Sequence, residues 1–236
     1  MALFELTSND LRFVAQRLPR DVRDLLKLHH GKLFLGGGFI RAVVAGETPN
    51  DIDLFGSDAE WLKNVASGLS AQRPGSRLHT TDNAVTLLTS DRMTVQFITR
   101  WTFDNAADLV ASFDFTVCQA AIWRNRLGEW KSLISNSFYI DLAGRRLVYT
   151  APEREEEAGG SMLRVIKYVR RGYTIQVTSL GAVIARLAMA VKPEKLGDAE
   201  GRWGFVIAGL LREVDPALVV DGLEVVNDHE PEEGEG

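Results

Sequence analysis

Residues 33–56 read LFLGGGFIRAVVAGETPNDIDLFG, and this stretch decides how the rest of the chain is interpreted. The apolar run 33–35 predicts a short buried strand that ends at three consecutive glycines, and a segment with helical periodicity follows them. Glycine lets backbone N–H groups approach a ligand closely, and the start of a helix favours an anion. Gly36, Gly37 and Gly38 therefore predict a turn between strand and helix that would hold a triphosphate.

A second strand is predicted over residues 51–55, DIDLF. Side chains alternate along a strand, so Asp51 and Asp53 should face one side and Ile52 and Leu54 the other. Carboxylates about 6.6 Å apart along a strand can share divalent cations, and such ions neutralise the charge that develops on phosphate during nucleotidyl transfer. Mg²⁺ is the expected cofactor, with Mn²⁺ as a substitute, because Mg²⁺ binds carboxylate and phosphate oxygens. The alternative is a structural strand with two solvated acids.

These residues resemble the first signature of the class II CCA-adding enzymes and bacterial poly(A) polymerases, within the polymerase-β-like nucleotidyltransferase superfamily. The signature, roughly GGxVRDxLLGxxxxDxD, aligns without a gap from Gly37 to Asp53. The resemblance implies that the glycines bind the triphosphate of an NTP, ATP included, and that Asp51 and Asp53 are catalytic metal ligands. It also implies that Arg41 contacts nucleotide phosphates or braces the site. The acidic residue that follows the arginine in the family is Ala42 here.

Composition limits the possible functions. The single cysteine, Cys118, excludes an internal disulfide framework and a cysteine-rich zinc site and fits a reducing compartment, so the cytoplasm is expected. The N-terminus lacks a secretory-signal pattern and no apolar run is long enough to cross a bilayer, so no membrane partner is expected. A net charge of −5 gives no broad attraction to nucleic acid, and any polynucleotide contact must be local.

The order of the predicted elements indicates an α/β (α+β) fold of the nucleotidyltransferase type. It comprises a small mixed, mostly antiparallel sheet flanked by helices, followed by a small helical domain. A charged segment and two glycines after residue 152 mark the boundary. The expected organisation is a catalytic domain over 1–150, with N-terminal helices in 1–31, a helical neck-like domain over 151–226 and an acidic flexible tail over 227–236.

The third metal ligand of the resembling family falls on Gln96, in a strand predicted over 93–99. A neutral amide is a poorer ligand for a hard cation than a carboxylate, so either another residue supplies the third ligand or the chemistry has weakened. A strand predicted over 113–122 resembles the second family signature, RRDFTxNA, which contacts the ribose. Asp114 in it is a candidate third catalytic carboxylate, because an acid in an apolar strand is costly unless paired or metal-bound. The alternative for Asp114 is a capped or salt-bridged structural acid.

A helix predicted over 162–171 carries basic residues on one side. The simpler interpretation is a solvated basic face. The helix also resembles the family segment EDxxR…RFaxRxGF, in which an acidic pair and an arginine read the incoming base, and this resemblance makes Arg164 and Lys167 candidate nucleotide-binding residues. Gly160 and Ser161 replace the acidic pair, so the family's device for choosing C and then A is absent.

The leading functional hypothesis is a metal-dependent nucleotidyltransferase that moves a nucleoside monophosphate from an NTP to an acceptor and releases pyrophosphate. The acceptor is RNA or tRNA, a protein hydroxyl or a small molecule. CCA addition to tRNA is not expected, because the base-reading acid and the family's body and tail are missing from the sequence. The competing hypothesis, motivated by Gln96, is a nucleotide-binding module that has lost catalysis. The oligomeric state is left open.

Overall fold

The computed structural model describes residues 2–152, 159–191 and 202–214. The chain folds into two compact units, Met1–Arg154 and Glu155–Gly236. The first unit combines a sheet with helices, and the described part of the second unit is mainly helical. The fold is therefore α/β, as the sequence predicts. The assignment of catalytic and neck-like roles to the predicted domains 1–150 and 151–226 stays a prediction, and the predicted tail 227–236 lies outside the described residues.

Within the described residues, eight strands form one mixed sheet in the spatial order β1-β8-β7-β2-β3-β6-β5-β4. Strands β3 and β6 run parallel, and the other neighbouring pairs are antiparallel. The sheet is mostly antiparallel, as predicted, and larger than predicted. Its strands are β1 Leu3–Phe4, β2 Phe34–Gly36, β3 Asp51–Phe55, β4 Arg77–Thr80, β5 Ala84–Leu88, β6 Thr94–Ile98, β7 Ala120–Arg124 and β8 Trp130–Ser135.

Helices cover the two faces of this sheet unequally. One face is apolar and fully buried along β3, β5 and β6, and α4 contacts β5 and β6. On the other face, α5 packs on Phe34, Phe55 and Ala121, and the residues of β3 and β6 that carry Asp51, Asp53 and Gln96 are only half-buried. The helices of the first unit are α1 Ser8–Arg17, α2 Arg20–Leu28, α3 Gly38–Val44, α4 Ala59–Ala71, α5 Ala106–Ser112 and α6 Phe138–Ala143.

The strand predicted over 113–122 is wrong at its centre. A 3₁₀ turn occupies Thr116–Cys118, and the strand β7 begins only at Ala120. The Thr116 hydroxyl donates a hydrogen bond to Asp141 (2.6 Å), and its backbone N–H donates to the carbonyl of Val148 (3.1 Å). These contacts with a later segment turn the chain away from the sheet. The apolar run alone contains no sign of them.

The described part of the second unit contains α7 Gly160–Val169, α8 Val177–Met189 and α9 Arg202–Val214. Two short extended pieces are also present, β9 Arg146–Leu147 in the first unit and β10 Thr174–Ile175 in the second. Leu163, Val165 and Tyr168 form the buried side of α7, and Val183 and Leu187 are buried on α8. In the parts of the chain that the structure describes, no helix has the length and apolar character needed to span a bilayer.

Candidate active site

The strand β3 presents the two predicted metal-binding aspartates on one face of the sheet. Asp51 and Asp53 are half-buried, whereas Ile52 and Leu54 between and beside them are fully buried on the opposite face. The alternation of a strand produces this division, because successive side chains point to opposite sides. Both carboxylates therefore lie on the less covered face of the sheet.

A row of polar side chains crosses the sheet from Asp53. The parallel register places Gln96 of β6 beside Asp53, and the antiparallel registers place Thr86 of β5 beside Gln96 and His79 of β4 beside Thr86. Neighbouring strands lie about 4.8 Å apart, so the Gln96 amide is within reach of any ion held by Asp53. We call Asp53, Gln96, Thr86 and His79 the polar row. Gln96 is thus adjacent to Asp53 on the same face, and its role as a ligand stays a prediction.

The role of Asp114 as a third catalytic carboxylate stays a prediction. Asp114 is buried, with 2% of its surface exposed. In residues 2–152, 159–191 and 202–214, no group of three His, Cys, Asp or Glu side chains could hold a metal ion. Two carboxylates nevertheless suit Mg²⁺, which proteins often bind through one or two carboxylates while substrate phosphates and water complete the shell. The donors Asp51 and Asp53, with the Gln96 amide beside them, fit a metal that arrives with its nucleotide.

The three glycines have different structural roles. A Cβ atom added at Gly36 or Gly37 would lie 2.9 Å from the ring of Phe113. The ring therefore occupies the space beside both glycines, where a ligand would otherwise approach. The N–H of Gly37 is also engaged, because it donates to the carbonyl of Ala120 (2.9 Å). At Gly38, the first residue of α3, an added Cβ meets nothing within 4 Å. Of the three predicted triphosphate-binding glycines, Gly38 is thus the one with open space beside it.

Arg41 is buried and paired with an acid that the sequence analysis missed. Its side chain is 2% exposed, and its Nη1 donates to a carboxylate oxygen of Glu47 at 2.5 Å. The other oxygen of Glu47 accepts from Arg145 at 3.3 Å. We call Arg41, Glu47 and Arg145 the Glu47 triad. A lone acid in the loop between a buried arginine and the DxD strand was the available signal. Of the two roles expected for Arg41, this geometry fits bracing.

The two basic candidates of the second unit lie on α7. Arg164 is half-buried and Lys167 is exposed. Their role in nucleotide binding stays a prediction.

A pocket of about 490 Å³ lies beside α5 and is lined in part by Arg100, Trp101 and Ser112. Its volume is in the range of small-molecule sites. Asp51, Asp53, Gln96 and Asp114 are absent from its lining. We therefore do not assign it to the candidate active site.

A comparison with known protein families shows which family the chain belongs to. The model of the Gabija anti-defense 2 family matches residues 5–142, which is more than half of the sequence. The chain belongs to the Gabija anti-defense 2 family. The matched segment contains the glycine turn, both aspartates of β3, Gln96 and Asp114, so every candidate site residue of the first unit lies in the part that defines the family.

The fold of this family member is shared with CCA-adding enzymes. The Thermotoga maritima CCA-adding enzyme complexed with tRNA matches with a TM-score of 0.53 and 19% identity, over 90% of this chain and 50% of that one. A CCA-adding enzyme complexed with ATP matches with a TM-score of 0.58 and 18% identity, over 90% and 49%. The complex with CTP gives 0.54 and 17%, over 91% and 50%.

These likenesses confirm the resemblance drawn from the sequence to nucleotidyltransferases of the CCA-adding type. At such low identities they concern the fold, and the chain spans about half the length of each of the three enzymes. A comparison with curated proteins found no match.

Proposed function

We propose that this Gabija anti-defense 2 family protein is a metal-dependent nucleotidyltransferase. It transfers a nucleoside monophosphate from an NTP to an acceptor and releases pyrophosphate. The observation that carries the proposal is the pair Asp51 and Asp53 on the accessible face of a nucleotidyltransferase fold, with Gln96 beside them.

The residues of the chain have separate tasks in this reaction. Asp51 and Asp53 would hold Mg²⁺ or Mn²⁺, which would neutralise charge on the triphosphate. Gln96 offers an amide that can orient a phosphate oxygen, and Gly38 leaves room for the phosphates against the backbone. An acceptor hydroxyl oxygen forms a bond to the α-phosphorus and loses its proton to solvent, the bond from that phosphorus to the bridging oxygen breaks, and pyrophosphate leaves with the electron pair.

The acceptor is RNA or tRNA, a protein or a small molecule. The solved structures that share the fold contain ATP, CTP or tRNA, which supports an NTP donor and makes RNA a reasonable acceptor class. The family name states an action against a defence system called Gabija. We therefore infer that the modified molecule is a component of that system or a factor it depends on, and that the reaction takes place in the cytoplasm, where NTPs are available.

The decisive assay is pyrophosphate release from each of the four NTPs with Mg²⁺, in the presence of RNA and protein acceptors. The double variant Asp51→Asn, Asp53→Asn should lose at least about 10²-fold in rate, because it removes both anionic metal ligands. Asp91→Asn is the matched control. Asp91 is an exposed turn residue with φ 59°, a conformation that asparagine adopts readily. Equal rates in the double variant and the control would remove the proposal.

A second candidate function, a nucleotide-binding module without catalysis, is favoured by Gln96 in place of a carboxylate. Two carboxylates can hold a nucleotide-bound metal without activating the acceptor. Calorimetry with each NTP and Mg²⁺, run beside the pyrophosphate assay, separates the two functions. Binding that depends on Asp51 and Asp53, with no release across the four NTPs and the acceptor panel, would establish the module.

The role of Gly38 can be tested by adding one methyl group. Gly38→Ala introduces a Cβ that meets no protein atom within 4 Å, so the fold should tolerate it, while the methyl group would obstruct phosphates bound along the backbone. The KM for NTP should rise several-fold. Gly68→Ala is the control, because Gly68 lies in α4 and its added Cβ also meets nothing. An unchanged KM in Gly38→Ala would exclude a phosphate at this turn.

We also propose that the protein does not build CCA ends. In the resembling family an acidic pair and an arginine read the incoming base, and Gly160 and Ser161 occupy the positions of that pair. Neither can present a carboxylate to a base. When the protein is incubated with tRNA lacking CCA and with labelled CTP and ATP, a single nucleotide or none should be added. Ordered addition of two C and one A would contradict this.

A further inference from the structure

A second pocket, of about 360 Å³, lies between α1, α2 and the β7-β8 hairpin. Three of its eight lining residues are arginines, Arg12, Arg23 and Arg124, and none of the eight is acidic. In a chain with a net charge of −5, such a concentration of positive charge without a lining carboxylate requires an explanation.

The pocket is on the opposite face of the sheet from the candidate active site. Leu35 of β2 is paired with both Leu54 and Ile122, so these side chains share one face. Arg124 lies two residues beyond Ile122 on the same strand and takes that face, whereas Asp53, next to Leu54, takes the other. The basic pocket is therefore separate from Asp51 and Asp53.

Arg124 is fixed at the base of this pocket. Its guanidinium lies 4.0 Å from the centre of the Trp130 ring, and its Nη1 donates to the carbonyl of Gly128. Its Nε is buried, and among the described residues no atom accepts a hydrogen bond from it. Burial, and secondly the positive charge of Arg23, lower the pKa of Arg124. Two half-buried cations, Arg124 and Arg23, thus repel each other beside the exposed Arg12, and a bound anion would offset that cost.

We propose that this basic pocket binds a phosphate group, independently of the transferase function proposed above. Guanidinium groups offer paired N–H donors that match phosphate oxygens, and here Arg124 is pre-positioned while Arg12 and Arg23 border the pocket. Arg124 covers one face of Trp130, so recognition rests on phosphate rather than on base stacking. The phosphate belongs either to a free nucleotide or to the backbone of a single strand of nucleic acid.

The test measures two probes in EDTA at low salt, where binding that needs a metal at Asp51 and Asp53 is suppressed. The probes are ATP, followed by calorimetry, and a fluorescein-labelled single-stranded RNA of 12 nucleotides, followed by anisotropy. The variants are Arg23→Gln and Arg12→Gln. The matched control is Arg20→Gln, which removes one charge from an exposed pair with Asp24 on the same helix as Arg23. Thermal unfolding verifies that each variant is folded.

We expect Arg23→Gln and Arg12→Gln each to weaken binding by about tenfold or more, because each removes a charge-assisted contact. Arg20→Gln should remain within about twofold of the wild type. Weaker binding of ATP alone assigns the pocket to free nucleotides, and weaker binding of RNA alone assigns it to single-stranded nucleic acid. Weaker binding of both probes shows that the pocket recognises the phosphate that they share. The proposal is overturned if neither probe binds, if binding is unchanged in both Arg12→Gln and Arg23→Gln, or if Arg20→Gln weakens binding as much as the pocket variants.

Discussion

Two acid-centred triads in the first unit have almost the same construction. In the Glu47 triad, a carboxylate with 18% exposure lies between buried Arg41 and half-exposed Arg145. In the second, which we call the Asp21 triad, Asp21 has 20% exposure and lies between fully buried Arg73 and half-exposed Arg92. The distances to the buried arginines are 2.5 and 2.7 Å, and those to the outer arginines are 3.3 and 3.2 Å.

The two triads differ in what they hold. Glu47 belongs to the loop that leads into Asp51, so its contacts with Arg41 tie the glycine-turn helix α3 to the strand of the candidate active site. Asp21 lies on α2 and fastens the segment after α4 and the turn before β6. A buried arginine with its acid is therefore evidence of a structural brace in both places. Only the Glu47 triad includes the loop that leads into the DxD strand, so we expect a functional consequence from that triad alone.

The largest expected effect is on stability and should be common to both triads. Asp21→Ala and Glu47→Ala each leave a buried guanidinium without its carboxylate, which should cost about 3–5 kcal/mol in free energy of unfolding. Denaturant unfolding of each variant measures this cost. A loss below about 1 kcal/mol in either would show that its buried arginine finds another partner without strain.

The second prediction concerns the transfer rate, which should differ between variants of the two triads. Among the gentler variants, Glu47→Gln should lower the transfer rate about tenfold, because it loosens the loop before Asp51, whereas Asp21→Asn should leave the rate of the folded protein near that of the wild type. Pyrophosphate release, normalised to the folded fraction, gives both values. Equal losses in the two variants would mean that the Glu47 triad has no special relation to the site.

Much of this site was predictable from local pattern. The strand, the glycine turn, the helix and the shared face of Asp51 and Asp53 follow from residues close together in sequence, and the structure has them in that form. Glu47 was missed as the partner of Arg41 because a hydrophobic pattern does not show that Arg41 is buried, so the single acid of the next loop drew no attention as its partner. The turn at Thr116–Cys118 was missed because Asp141, its hydrogen-bond partner, is 25 residues away.

Packing also changed the interpretation of the glycines. Gly36 and Gly37 accommodate the ring of Phe113, and their missing side chains have a tertiary cause that no local pattern contains. Gly38 alone has open space beside it, and its role in binding a triphosphate stays a prediction. A run of glycines thus indicates that another group approaches the backbone closely. The structure is needed to show whether that group is a ligand or an aromatic side chain of the protein.

Acid should weaken the Asp21 triad in a defined direction. Burial alone would raise the pKa of Asp21, but the hydrogen bond and charge of Arg73, the N–H of Val22 and the charge of Arg92 together hold this pKa below its ordinary value of 3.8. The stabilisation is therefore present above about pH 4 and is lost as pH falls through the lower pKa of the folded state. The difference in unfolding free energy between the wild type and Asp21→Asn should shrink below pH 4. A constant difference down to pH 2 would contradict the assignment.

The smallest effects are expected for the half-exposed arginines of the two triads. Arg92→Gln and Arg145→Gln remove half-exposed partners, whose pairs with acids contribute less than about 1 kcal/mol in water. Both variants should unfold at nearly the wild-type denaturant concentration. A much larger loss of stability for Arg145→Gln alone would indicate that Arg145 also stabilises the candidate active site.

The most direct test of the account concerns the face that carries Asp51, Asp53 and Gln96. Gln96→Glu adds a carboxylate beside Asp53, at the position where the register places the amide. If this face binds the divalent metal, Mn²⁺ should raise the melting temperature of Gln96→Glu by more than it raises that of the wild type, because a tighter ligand stabilises the folded state more. Mn²⁺ should have no such effect on the Asp51→Asn, Asp53→Asn variant. The same shift in all three proteins, or none in Gln96→Glu, would contradict a metal site on this face.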